Sequence, residues 1–431
     1  MVTIGSTTLP GVQADVESAT STGVNVGAAA QVGIVGQADL ANGTANANEV
    51  YEVTTSVKAR TWFGAGSPLA ENCVDALSNG AYPVYAVAAE EVSVTDEDIS
   101  GLGSTSGTLA NAPGPEDAEA YSFLVDSTVK NVVLTMDDPA SLNPGTDEVY
   151  VNPVTGAFEL DASPSTSGEI DYTHFNYPAA TAALYAEEGE TLDLVGLVNE
   201  NEDVVADAVS VAENHATLAE FTVVVAGAGA RIDPGAFTNS YDTSRLQLLY
   251  PSRNADEESI VGSYLGLRSS LGINNSPIWK RLQDQRDLSV TLSKTEQETL
   301  VGEKVVPIAD ESRGARIVED LTCVADSNTE EDAMRQVLHR LIVDYVTEVV
   351  FVSSERFIGE LHTQAARNAL HSIIGGEMDR LLTQNSIEDY SVTVEKVDAM
   401  TASVDVGIDT IDPLRNILAT IAAGEVTQQA A

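Results

Sequence analysis

The chain has 431 residues, 43% of them hydrophobic, and carries 66 Asp plus Glu against 21 Lys plus Arg, a formal net charge of −45. That length suffices for a large core split over two or three domains, and periodic apolar residues exclude the disordered class that such acidity would otherwise suggest. The acidity argues against direct nucleic-acid binding, which needs a basic footprint.

Lysine is confined to Lys58, Lys130, Lys280, Lys294, Lys304 and Lys396. A folded, evenly acidic, lysine-poor chain fits work in molar salt, where a Debye length of about 3 Å screens self-repulsion. A halophilic host is therefore expected. Cys73 and Cys323 are too few for a disulfide framework or a metal cluster. The N-terminus has no basic region ahead of a long apolar core. No apolar run approaches the roughly 18 residues of a membrane helix. A soluble protein made in the cytoplasm is expected, with no membrane insertion.

Residues 1–24 are polar and read as an extended arm. Residues 26–38 read as a buried strand and 67–80 as a short helix, with Ser67 as N-cap, Pro68 in the first turn and Gly80 at its end. Residues 82–89 are the next buried strand. From 92 to 173 short strands and turn residues predict an all-β insertion, with a hairpin around Thr155-Gly156. Strand and helix patterns then alternate, which predicts a layered α/β domain built from 25–91 and 174–325. Its helix at 257–272 turns Ile260, Val261, Tyr264 and Leu265 inward.

Residues 326–431 read as an α+β unit. Thr329 is expected to cap a helix whose stripe runs Met334, Val337, Leu338, Leu341, Ile342, Tyr345, Val346, Val349. A second helical stretch, 355–383, is expected to break at Gly375-Gly376, and strands are expected near 389–397 and 400–409. Val404, Val406 and Ile408 alternate with Ser403, Asp405, Gly407 and Asp409, the period of a half-buried strand. Pro413 ends that run, and a second apolar run, Ile417 to Ile421, follows. The fold class is thus mixed α/β and multidomain, with extended terminal arms.

Motifs for chemistry are weak. Gly227-Ala228-Gly229 follows a strand, but Ile232 stands where a dinucleotide fingerprint needs its third glycine, so a tight turn is expected. Gly302-Glu303-Lys304 is followed by Val305, which is not a phosphate loop. The five histidines, His174, His215, His339, His362 and His371, have no metal-ligand spacing, and His339 is expected at the surface. No catalytic residue, cofactor or metal ligand is assigned, and an enzyme is not expected.

Several segments together resemble a contractile tail sheath protein of myovirus-like phages and related injection machines. They are LPGV (9–12), VGIVGQA (32–38), the 53–87 stretch with Trp62-Phe63-Gly64 and Pro83-Val84-Tyr85, and the 248–282 stretch ending Ser276-Pro277 and Lys280-Arg281-Leu282. The 292–322 run and 329–421 complete the likeness, which covers most of the chain outside 92–173. The resemblance implies a subunit that polymerises in rings or a helix around a tail tube and contracts to drive the tube through a target envelope. It implies terminal arms that add strands to a neighbour's sheet, which makes Pro10, Gly11, Val12, Val404, Val406, Ile408, Ile417 and Ile421 the expected inter-subunit residues. Implied partners are further copies, the tube protein, and baseplate and tail-terminator proteins. The implied location is a virion tail assembled in the host cytoplasm. Alternatives are a surface-layer or adhesin-type protein, or a cofactor-binding α/β enzyme using the 227–235 turn.

Overall fold

The computed structural model describes residues 2–3, 15–16, 30–188, 192–229, 232–253, 258–272, 275–283, 287–329, 331–413 and 415. An eight-stranded sheet contains β1 (Val32–Gly36), β2 (Val50–Val53), β3 (Val84–Ala88), β4 (Leu194–Val198), β5 (Val223–Gly227), β6 (Leu246–Tyr250), β7 (Val305–Ala309) and β8 (Arg316–Ile317). Their spatial order is β8-β7-β6-β5-β4-β1-β3-β2. The interior pairs are parallel, with Leu194 opposite both Val32 and Val223. The short edge strands β8 and β2 are antiparallel. Strands β1, β4, β5, β6 and β7 are buried at every position. Continuous apolar runs are what a parallel sheet covered on both faces requires.

Helices supply the two covers. One face is lined by α1 (Ser56–Phe63), α2 (Pro68–Asn79) and α5 (Val261–Ser270), through Phe63, Leu69, Cys73, Val261, Tyr264 and Leu265. The other is lined by α3 (Tyr177–Glu188), α4 (Glu202–Ala216) and α6 (Lys294–Gly302), through Leu184, Val205, Ala212 and Leu300. Helix α2 begins and ends as its residues dictate: Ser67 Oγ accepts from Ala70 N at 3.3 Å, and Gly80 takes the left-handed conformation. Gly262 and Gly266 let α5 approach α2 closely, since a Cβ on either would meet the carbonyl oxygen of Asn72 or Ala76 at 2.1 or 2.2 Å. The strand expected over 26–38 occupies 32–36, and its first residues, 26–29, lie outside the described ones.

Between β3 and α3 stand two four-stranded sheets, Glu90–Asp98, Gly168–Asn176, Tyr121–Val125 and Thr128–Val129 in one, and Asn131–Leu134, Glu148–Val151, Ala157–Leu160 and Ser106–Thr108 in the other. They share a core around Phe123, Val149, Phe158, Ile170 and Tyr172. The hairpin at Thr155-Gly156 is present, with Val151 opposite Phe158 and Gly156 at φ +72°.

The last unit holds α7 (Val337–Glu355), α8 (Gln364–Thr383), β9 (Ile387–Lys396) and β10 (Ala402–Thr410). Three expectations fail here. Thr329 does not cap α7; a short turn of helix, Asp332–Met334, intervenes and α7 starts after Gln336 without a side-chain cap. Glu331, in the stretch ahead of α7, instead reaches the segment before β6, accepting from Ser244 Oγ at 2.8 Å and Ser244 N at 2.9 Å. Helix α8 runs unbroken through Gly375-Gly376. Burying Leu370, Ile374, Met378 and Leu381 on one stripe outweighs the roughly 1 kcal/mol that each helical glycine costs. His339 is buried, not at the surface, because the chain after β10 crosses over it.

Helix α7 joins two cores. Val337 and Leu341 belong to the core beside the large sheet, whereas Leu338, Ile342 and Val346 belong to that of the C-terminal unit. A buried ionic cluster fixes the joint. Asp344 accepts from Arg245 Nη1 and Nη2 at 3.2 and 3.0 Å and from Arg340 Nη2. Arg245 also donates to the Thr222 carbonyl at 3.1 Å. Burial alone would raise the Asp344 carboxyl, but the two guanidiniums hold it below its usual value.

Candidate functional site: the C-terminal hairpin

Alternation in sequence places one apolar face on this hairpin. Val404 stands opposite Val394, Val406 opposite Val392, and Ile408 opposite Tyr390. All six side chains pack against the core of Leu370, Ile374, Met378 and Leu381, yet each is only partly buried. The opposite face carries Thr393 and Glu395 across from Asp405 and Ser403. Gly407 stands opposite Ser391, whose Oγ lies 2.6 Å from where a Cβ at 407 would sit.

The turn is shaped by one carboxylate. Asp398 Oδ1 accepts from Met400 N at 2.7 Å and Thr401 N at 2.8 Å, and these bonds lower its pKa. Tyr390 Oη donates to Asp379 Oδ1 at 2.6 Å, fastening β9 to α8, and this bond with burial pushes the phenol up to about 12. Among the described residues the hairpin is a sheet of two strands, ten and nine residues long. Both outer edges therefore present backbone donors and acceptors along a long, half-apolar strand, which proteins ordinarily cover or blunt.

Of the residues expected at subunit contacts, Val404, Val406 and Ile408 lie together on β10. Pro10, Gly11, Val12, Ile417 and Ile421 lie outside the described residues. In the N-terminal region Val2–Thr3 pairs antiparallel with Asp15–Val16. Sequence reasoning missed Tyr390 as an anchor; its phase with Val392 and Val394 was the available signal.

Two other places are where α/β proteins hold ligands. At the switch point, where connections from β1 and β4 diverge, a cleft of about 120 Å³ is lined by Gln37, Ser67, Asn199, Glu200 and Arg253 among others. Its polar groups are engaged with the chain itself: Leu69 N donates to Gln37 O at 2.9 Å, Ser252 Oγ to Glu200 Oε1 at 3.1 Å, and Arg253 pairs with Asp75 and Glu258. The cavity at the Gly227 turn measures about 20 Å³, room for about one water. A Cβ at Gly227 would meet Glu200 Oε1 at 2.4 Å. Among the described residues no group of three or more His, Cys, Asp or Glu is arranged for a metal, and no helix is long and apolar enough to cross a membrane.

No family model and no curated protein matches the chain. Solved structures do. The helical sheath of the anti-feeding prophage in its contracted state aligns over 97% of this chain and 99% of its own, with a TM-score of 0.58 at 14% identity. The sheath tail protein of Listeria innocua aligns over 90% and 94%, with a TM-score of 0.57 at 12% identity. The contracted PVC sheath complex of an extracellular contractile injection system aligns over 97% and 98%, with a TM-score of 0.51 at 14% identity. Over nearly its whole length, then, this chain has a mixed α/β, multi-sheet fold similar to that of contractile-sheath proteins.

Proposed function

We propose that the chain is the repeating subunit of a contractile sheath, a structural protein and not an enzyme. The likeness in fold to contracted sheaths over 97% of the chain carries this reading. The two-stranded hairpin supports it physically. Helices pack about 8–10 Å apart, so a pair such as α7 and α8 offers a face about 20 Å wide, enough for about four strands at 4.8 Å spacing. The described hairpin supplies two. In the proposed polymer, the arm carrying Pro10, Gly11 and Val12 and the segment carrying Ile417 and Ile421 add strands to neighbouring copies by β-augmentation. Each added backbone bond nets only about 0.5–1.5 kcal/mol, but a propagating, heterologous contact repeats it in every subunit.

In this reading residues 25–91 with 174–325 form the middle domain, 92–173 an outer insertion, and 326–431 the polymerisation domain. The subunits surround a tail tube, meet baseplate and terminator proteins at the ends, and leave a metastable extended state on contraction, driving the tube through the target envelope. The sheath belongs to the tail of a halophilic virus or injection particle and is assembled in the host cytoplasm. Deleting residues 1–20 tests the arm: the subunit should keep its circular dichroism spectrum and thermal transition but form no tubes by electron microscopy. Tubes from the truncated chain would refute the arm's role.

A further inference from the structure

The outer edge of β8 is covered by the stretch from Trp279 to Leu282. Trp279 N donates to Ile317 O at 2.8 Å and Leu282 N to Ala315 O at 3.0 Å. Trp279 holds this place at φ +63°, in the left-handed region that a bulky residue rarely adopts. Burial of its ring does not offset that strain, since the residue is 62% exposed. One face of the ring is nonetheless backed: the Arg316 guanidinium carbon lies 3.8 Å from its centroid. Glu311 fixes two guanidiniums at once, with Arg316 Nη1 and Arg281 Nη2 each 2.7 Å from one of its carboxylate oxygens. Asp310 and Arg313, both exposed, stand in the turn between β7 and β8. A strained, solvent-facing tryptophan held rigidly among arginines has the make-up of an interface hot spot. It occurs in a chain of net charge −45.

The opposite end of the same sheet carries complementary chemistry. Strand β2 is the last one there. Glu52 on β2 and Glu91 just beyond β3 are exposed. Val53 pairs with Val84, and next to that pair along the chain stand Val57 and Tyr82, both exposed, Tyr82 by 70%. The nearby cations are turned to local partners: Lys58 lies 5.1 Å from the Trp62 ring, and Arg60 pairs with Glu71.

We propose that the Trp279 patch of one copy docks on the β2 end of a second copy. The open face of the indole meets the apolar surface of Val57 and Tyr82, and Arg281 and Arg313 meet Glu52 and Glu91. Molar salt screens charges beyond about 3 Å, so burial of the indole carries the affinity and the charges in contact set the orientation. The two patches lie on opposite edges of the sheet, about 34 Å apart at a strand spacing of about 4.8 Å. The contact therefore joins unlike surfaces and propagates head to tail. Side chains make it and no strand is added, so it is separate from the hairpin and the arms, and it does not rest on the sheath reading.

Trp62 and Trp279 are the two tryptophans, so Trp62→Phe leaves Trp279 as the sole indole. Sedimentation velocity and acrylamide quenching of that full-length chain, in molar salt over rising concentration, test the docking. Quenching should fall as the chain associates. In the otherwise unaltered chain, Trp279→Asn should weaken association about tenfold or more. Its thermal transition should stay the same or rise, because Asn accepts the left-handed conformation. Glu52→Lys with Glu91→Lys should weaken association by a smaller factor. An associated chain whose Trp279 is as open to the quencher as before overturns the proposal. So does a chain that stays monomeric, or association that Trp279→Asn leaves unchanged. Association that needs Trp279 but ignores both lysine substitutions overturns the β2 end as the receiving surface. None of these measurements reads tubes, so the docking can fail while the sheath reading stands.

Discussion

The eight-stranded sheet and the two-stranded hairpin treat their edges in opposite ways. The large sheet ends in β2 and β8, four and two residues long, both antiparallel caps on a parallel interior. Five of its six interior strands are buried at every position, and β3 at all but Tyr85. The hairpin is all edge: β9 and β10 are ten and nine residues long and their apolar face is only partly buried. One region completes its burial and hydrogen bonding within the chain. Among the described residues the other has a helix layer, a partly buried apolar face and two long strand edges without ladder partners. Helix α7, rooted in both cores, is the link between the finished region and the unfinished one.

The largest expected effect comes from cutting that link. Asp344→Ala leaves Arg245 and Arg340 buried without their shared carboxylate, a loss of about 3–5 kcal/mol. Urea unfolding in molar salt measures it. Because the cluster is buried, it is screened much less than a surface pair; a loss under about 1 kcal/mol would put it in the class of surface ion pairs. Val406→Glu acts on the unfinished side. A carboxylate on the face shared with Val392 should unseat the hairpin and abolish tubes, while hydrogen exchange in β4 and β5 stays that of the unaltered protein. Tubes of normal abundance would mean that this face takes no part in assembly. The smallest effect belongs to the finished side. Ser293 Oγ accepts from Glu296 N, and Glu296 Oε2 accepts from Ser293 N at 2.7 Å, a capping box at the start of α6. Ser293→Ala should cost about 1 kcal/mol by urea unfolding and leave tubes unaltered.

How much of this was legible in the sequence follows the same division. The interior strands β1, β3, β4, β5 and β6 were readable as continuous apolar runs, whereas β7 was not read as a strand; α2 was readable from Ser67, Pro68 and Gly80, and β10 from the phase of Val404, Val406 and Ile408. Helix α1 was not foreseen, because Val57 is 72% exposed and no clean stripe marks it. Helix α6 was missed although its capping box, Ser293 to Glu296, stands in the sequence. Gly375-Gly376 promised a break that the buried stripe of α8 overrides. Arg340, Asp344 and His339 look like the polar side of an amphipathic helix. They face Arg245, 99 residues from Asp344, and Asp412, 3.6 Å from His339 Nε2, and no local period encodes such distant partners. The arm residues Pro10, Gly11 and Val12 came from resemblance alone.

In the proposed sheath the hairpin is completed by other copies of the chain. Electron cryomicroscopy of the purified full-length protein in molar salt tests it most directly. Helically ribbed tubes are expected, in which strands from neighbouring subunits extend the β9–β10 sheet. Discrete particles, planar lattices, or tubes whose hairpins remain two-stranded would contradict it.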